Sequence, residues 1–375
     1  MTNNTLRTVI ISAFGISGNN TEINADDVSV ISRIASTQKV IPIIAEGLKN
    51  LGRFDLLTEQ LQKGEAKAVY DYTQRKVSLE EITIALEKAS ISYIPLKGSV
   101  LRDYYPEPWM RTSSDIDVLI HEEDKEKAIK VLESNTSFKF LRNDRHDIHF
   151  VNKYVHLELH FSFEYSVNKI DQALADPWTH VVASSDSYRC SFTPEYFIFY
   201  IVTHAAKHFI QDGGIGIRPI LDIYVLRTHT LFDEEIVKDL FKDAGLLGFY
   251  DICCKLINVW FNGSEQDEIT KCFEDVVING GVFGNQHLKI VKNKRKDAGK
   301  NYVGRRVFKT SKEIKNYFPK SRKYPVLVPY YQVVRWTRLI RSKRTENYIA
   351  EFKHANSIDQ SEVEKYDKLL KAMGL

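Results

Sequence analysis

From residue 25 to residue 85 apolar residues recur at helical spacing: Val28, Ile31, Ile34 and Ala35, then Val40, Ile43, Ile44 and Leu48, then Leu56, Leu57 and Leu61. Asn24 or Asp26 is placed to cap the first of these helices, and Leu51-Gly52 to end the second. A capping-box pattern, SLEE, predicts a further helix opening at Ser78 and running up to Ala89. No polar cluster recurs on any face, so the region reads as a packing module. The pattern then changes. Ser92 to Leu96 is a short apolar strand ending at Lys97-Gly98-Ser99, and Asp115 to Ile120 is a strand with two acids among aliphatic residues. Asp124 to Glu133 reads as a helix and Phe138 to Leu141 as an edge strand. Ile148 to Val151 with Val155 to Phe163 reads as a hairpin around Asn152-Lys153. In its second arm Leu157, Leu159 and Phe161 share one face, while His156, Glu158, His160 and Ser162 share the other. From Pro194 helical spacing returns in EYFIFYIVTHAAKHFI and RPILDIYVLRTH, separated by a Gly-rich turn.

Composition adds little until charge is mapped along the chain. With 375 residues and 43% hydrophobic content the chain is globular, with room for two or three domains at about 150 residues each. No apolar run is long enough to span a membrane. The stretch TVIISAFGI follows a single basic residue, and no small-residue cleavage site comes after it, so it is expected to be a buried first helix. Four irregularly spaced cysteines exclude a disulfide framework and point to the cytoplasm. The net charge of +3 hides an asymmetry: between Lys289 and Arg344 nineteen Lys and Arg stand against Asp297 and Glu313 alone. That segment, with aromatics interleaved, is a possible contact for an anionic partner such as RNA, a membrane surface or a glycan, or else a solvated face.

The chemistry concentrates between Leu96 and Ile120. Residues two apart on a strand project together, so Asp115 and Asp117 form a carboxylate pair, and side-by-side carboxylates in an apolar setting call for a cation. Glu158 is the best-placed third acid, with Glu164 close behind it. A strand, a Gly-Ser turn and a helix form a geometry that meets phosphate, so Gly98 and Ser99 are candidates to hold a triphosphate, with Lys97, Arg102, Arg111 and Lys207 adding positive charge. Oxygen ligands suit Mg²⁺, and the set as a whole suits displacement at the α-phosphorus of an NTP. A competing pattern is His146, His149, His156 and His160, whose imidazoles would suit Zn²⁺ if the hairpin brought them together. His204 and His208 share one helical face with Lys207, and Asp222 is spaced to pair with Arg218.

LKGSVL, then YP, Arg111, SSDIDVLI and LELHF resemble the uncharacterised nucleotidyltransferase family of the DNA polymerase β-like superfamily. The likeness continues into HAAKH, LDI and, more loosely, YPVLVP, covering about residues 25–345. Fifteen residues separate Ser99 from Asp115, more than in compact superfamily members. The resemblance implies an α+β fold with a small mixed β-sheet nucleotidyltransferase core at 86–185. Helical regions at 1–85 and 186–288 flank it, and the basic, aromatic-rich region occupies 289–375. It also implies an enzyme with two Mg²⁺ ions held by Asp115, Asp117 and Glu158, taking an NTP and an acceptor that is a small molecule, RNA or protein. The alternative is an inactive protein of the same fold that binds RNA or an anionic surface through the basic segment.

Overall fold

A computed structural model describes residues 2–17, 22–163, 167–282, 284–296, 304, 307–341 and 353–375. Helix α1 (Thr2–Ala13) carries the TVIISA part of the apolar stretch, with Phe14 to Ile16 beyond its end, and buries Val9 and Ile10 completely. Asn24 caps α2 (Ala25–Gln38) through a capping box with Asp27, as its side-chain chemistry favours. In α3 (Ile41–Asn50) Gly47 lies against α1, where a Cβ would fall 1.9 Å from the Val9 carbonyl oxygen; only glycine allows these helices so close.

Helix α4 (Glu59–Lys88) is one unbroken element of 30 residues, so no helix begins at Ser78. The capping signal there is outvoted because residues 65–77 contain neither Gly nor Pro to stop the preceding helix. Ser78 is buried within α4, and its hydroxyl accepts a hydrogen bond from the Asn152 side chain at 3.2 Å, bracing the hairpin turn.

The sheet has five strands in the order β1-β2-β5-β4-β3: β1 (Tyr93–Pro95), β2 (Asp115–Ile120), β3 (Lys139–Asn143), β4 (Asp147–Val151) and β5 (His156–His160). Only the β2–β5 pair is parallel; the sheet is mixed and the fold α+β. Helix α5 (Gly98–Leu101) follows β1, and α6 (Lys125–Asn135) follows β2. Strand β3 is one edge, as expected, β1 is the other, and β4 and β5 form the expected hairpin. Period-two alternation separates the two faces. Ile116, Val118, Ile120, Leu157 and Leu159 pack with Ile82 and Leu86 of α4 and Leu132 of α6 in a small core. The opposite face carries the acids and imidazoles.

After α7 (Asn168–Ala173) and a ribbon of β6 (Val181–Ala183) with β7 (Cys190–Phe192), the chain is helical again: α8 (Pro194–Asp212), α9 (Ile217–His229), α10 (Glu234–Ala244), α11 (Leu247–Phe261), α12 (Glu268–Asn279) and α13 (Gln286–Lys296). These helices share one large core with α1–α3 and with the helix at Gln360–Ala372, which contributes Tyr366, Leu369 and Leu370. The two helical regions that the sequence separates are thus fused around the sheet. In the basic segment short helices and the helix Val328–Arg341 leave Phe308, Tyr317, Tyr324 and Tyr330 more than half exposed. Residues 297–303, 305–306 and 342–344 of that segment lie outside the described residues, as does Glu164. All four cysteines are free thiols, and no helix among the described residues is long and apolar enough to cross a membrane.

Candidate active site

The site is built on the register of β2 against β5, which sets Asp115 opposite His156 and Asp117 opposite Glu158. Paired residues share a face, so the carboxylate pair of β2 meets the face of β5 on which alternation places His156 and Glu158. Hairpin pairing adds Asp147 opposite His160 and His149 opposite Glu158.

Asp117 is 3% exposed, and its Oδ1 accepts from Lys97 Nζ at 2.7 Å and lies 3.0 Å from His160 Nε2. Burial pushes its carboxyl up, but the Lys97 ammonium and His160 outweigh that and hold it well below the usual carboxylate range. Lys97 reaches it from a strained position: φ is 43° and ψ −119°, a conformation costing a non-glycine residue on the order of 1–3 kcal/mol. The turn that follows consumes its own donors. The N–H groups of Ser99 and Val100 donate to the carbonyls of Leu96 and Lys97, and among the described residues the buried Ser99 hydroxyl has no hydrogen-bond partner.

Arg102 and Arg111 are engaged within the protein. Arg102 Nε donates to the Gly98 carbonyl, and its Nη2 to Ser113 Oγ at 3.2 Å. Arg111 forms a two-pronged ion pair with Asp222 of α9, at 2.7 and 2.9 Å, and Tyr105 donates to the same carboxylate at 2.7 Å. The expected Arg218–Asp222 pair gives way to this one. Arg218 Nη1 donates instead to the Thr112 carbonyl at 2.8 Å, because the 111–114 loop lies between α9 and the Gly98 turn. Both arginines therefore fix the loop that leads into β2.

The four clustered histidines part company. His149 Nδ1 lies 3.2 Å from His156 Nε2, His160 turns to Asp117, and His146 meets Ser162. Three groups of ligand atoms lie within 4.8 Å of one another among the described residues: Asp117, Glu158 and His160; His149, His156 and Glu158; and Asp144, Asp147 and His149. The first fits a divalent cation, since it joins two carboxylates, one of them the buried, ionised Asp117, to one imidazole. Asp115 shares its face and strand but belongs to none of the three groups.

Two cavities meet at Lys97 and Asp115. The larger, ≈ 820 Å³, is lined by Gly98, Arg75, Arg111, Arg218 and Asp117. The smaller, ≈ 610 Å³, is lined by Glu158, His160, Asp147, Arg145 and Lys207. Lys207 thus faces the Glu158 side, and burial together with Lys97 lowers the pKa of its ammonium. Sequence reading missed the bond of His160 to Asp117, whose only sign is that residue 160 shares a face with Glu158. It also missed Arg75, whose sign is its place in the heptad stripe Leu61, Ala68, Arg75, Ile82.

Residues 24–262 match the uncharacterised nucleotidyltransferase family, and the chain belongs to that family; it is a nucleotidyltransferase. No curated protein sequence matches it. Among solved structures, the solution structure of the antibiotic-resistance factor ANT(2'')-Ia aligns with 52% of this chain and 100% of its own. The two are 12% identical, with a TM-score of 0.36.

Proposed function

We propose that this enzyme transfers the nucleotidyl group of an NTP to an acceptor hydroxyl and releases pyrophosphate. The observation that carries the reading is the pairing of Asp117 with Glu158 beside the strained Lys97-Gly98 turn. In the proposed reaction the acceptor oxygen forms a bond to the α-phosphorus as the bond to the β-phosphate oxygen breaks. The hydroxyl proton passes to the Glu158 carboxylate, and pyrophosphate leaves with the electron pair. Asp115, Asp117 and Glu158 would hold Mg²⁺, two ions on the family resemblance, which when bound supplies Lewis-acid stabilisation and a more acidic acceptor hydroxyl. Lys97, Gly98 and Ser99 would border the triphosphate, Arg102 and Arg111 would hold the turn and loop in place, and Lys207 would offset charge on the Glu158 side. His160 would orient the Asp117 carboxylate through the bond at 3.0 Å. The exposed aromatic rings among the lysines and arginines of 289–344 support a contact with an anionic partner there.

Incubation of the protein with each labelled NTP and a cell extract should place label in RNA, protein or metabolites, and Asp115→Asn with Asp117→Asn should abolish it. If the double variant transfers label as well as the wild type, the assignment is wrong.

A further inference from the structure

Arg75 lies just past the middle of α4, outside the sheet and outside every motif of the site. It is 6% exposed, and its Nε is buried without a hydrogen-bond partner. Among the described residues no side chain forms a hydrogen bond or ion pair with it. The nearest carboxylate on its own helix, Asp71, is bound to Lys67 at 2.6 Å. The other acid whose charge reaches it is Asp115, at the mouth of the site.

A buried guanidinium without a partner is a cost that folding does not recover. The neighbourhood raises that cost. Arg102 and Arg111 are also buried, and burial together with the charge of Arg75 lowers the pKa of Arg102 to about 10. Asp222 pairs directly with Arg111, whereas among the described residues Arg75 has only the more distant charges of Asp71 and Asp115. The group does have an outlet: it lines the ≈ 820 Å³ cavity that also touches Gly98 and Asp115. Its five donors form a planar fork suited to phosphate oxygens.

We propose that Arg75 forms an anion subsite for the terminal phosphates of the nucleotide donor, supplied by the helix before the catalytic sheet; the assignment rests on the nucleotidyl-transfer reading. The cavity lining favours the donor side. Gly98, Arg75, Arg111 and Arg218 belong to this cavity, whereas Glu158, the proposed proton acceptor, belongs to the other. With Ser99 and Val100 N–H already engaged, the turn needs a cation from elsewhere to hold a triphosphate. Position 75 supplies one.

The test is equilibrium titration of inorganic tripolyphosphate into the full chain in EDTA, where neither metal nor catalysis contributes, with wild type, Arg75→Gln and Arg75→Lys. Arg75→Gln should bind at least tenfold more weakly, Arg75→Lys should recover part of the loss, and a nucleoside monophosphate should bind all three alike. Because the arginine is uncompensated, Arg75→Gln should melt no lower than wild type. The subsite is overturned if Arg75→Gln binds tripolyphosphate as tightly as wild type, if the monophosphate weakens equally, or if Arg75→Gln and Arg75→Lys both melt well below wild type. Tripolyphosphate binding that depends on Arg75, in a protein that transfers no nucleotidyl group, would sink the functional reading and leave the subsite standing. Transfer by Arg75→Gln with an unchanged KM for NTP would do the reverse.

Discussion

On one side of Lys97 and Asp115 the wall of the cleft carries Arg75, Arg111, Arg218 and the Gly98 turn; on the other it carries Glu158, Asp147 and His160, with Arg145 and Lys207 beside them. The two walls differ in how their charges are answered. On the first, Arg111 has a fully formed partner in Asp222, while among the described residues Arg75 has no hydrogen-bonded or ion-paired one, so cationic charge is left over for a ligand. On the second, the acids stand beside imidazoles: Asp147 has His149 at 3.0 Å, and Glu158 has His156 and His160 at 3.7 Å. An anionic donor fits the first wall, and a hydroxyl that must lose a proton fits the second. The contrast also separates groups that hold the site's shape from groups that act in it.

The largest expected effect comes from the acids between the walls. Asp115→Asn with Asp117→Asn should cut nucleotidyl transfer at least about a thousandfold, measured as label incorporation. Next is the anchor of the first wall. Asp222→Ala should destabilise the protein by about 3–5 kcal/mol, because it leaves Arg111 buried and unpaired, and denaturant unfolding would read it. If Asp222→Ala instead leaves stability unchanged, the distinction between answered and unanswered arginines fails. On the second wall, Glu158→Gln should lower kcat on the order of a hundredfold while leaving the KM for NTP near wild type. A change confined to NTP binding would mean that the walls have been assigned the wrong way round.

The smallest effect is on pH dependence. Burial, reinforced by Lys97, holds His204 well below its ordinary value of 6.5. Folded His204 therefore stays neutral while the unfolded chain takes up a proton below 6.5, so stability is constant above that pH and falls as pH drops beneath it. His208 is lowered in the same direction by burial and adds to the trend. His204→Asn should flatten the fall in melting temperature between pH 7 and pH 5 by up to one proton's worth, about 1.4 kcal/mol per pH unit.

Much of the fold could be read from periodicity, and the failures have physical causes. The hairpin of β4 and β5 was legible because alternation fixes which residues share a face, and a one-residue slip would have exposed Leu157 and Leu159. The helix expected at Ser78 failed because a capping box is a local preference, worth about 1 kcal/mol, that a continuous helix with buried faces overrides. The pairing expected for Asp222 failed for a different reason. An (i, i+4) neighbour such as Arg218 is always near in sequence, but Arg111, more than a hundred residues away, offers two parallel bonds in a buried setting.

The sequence by itself determined the carboxylate strand, the Gly-Ser turn before it and the acid on the second hairpin arm, because strand period and residue chemistry are local properties. Only the tertiary structure decided which charges are answered. Whether Asp117 meets Lys97 and His160, or Arg75 meets no partner among the described residues, depends on strand register and helix placement between residues far apart in the chain, and desolvation then sets the cost of each outcome.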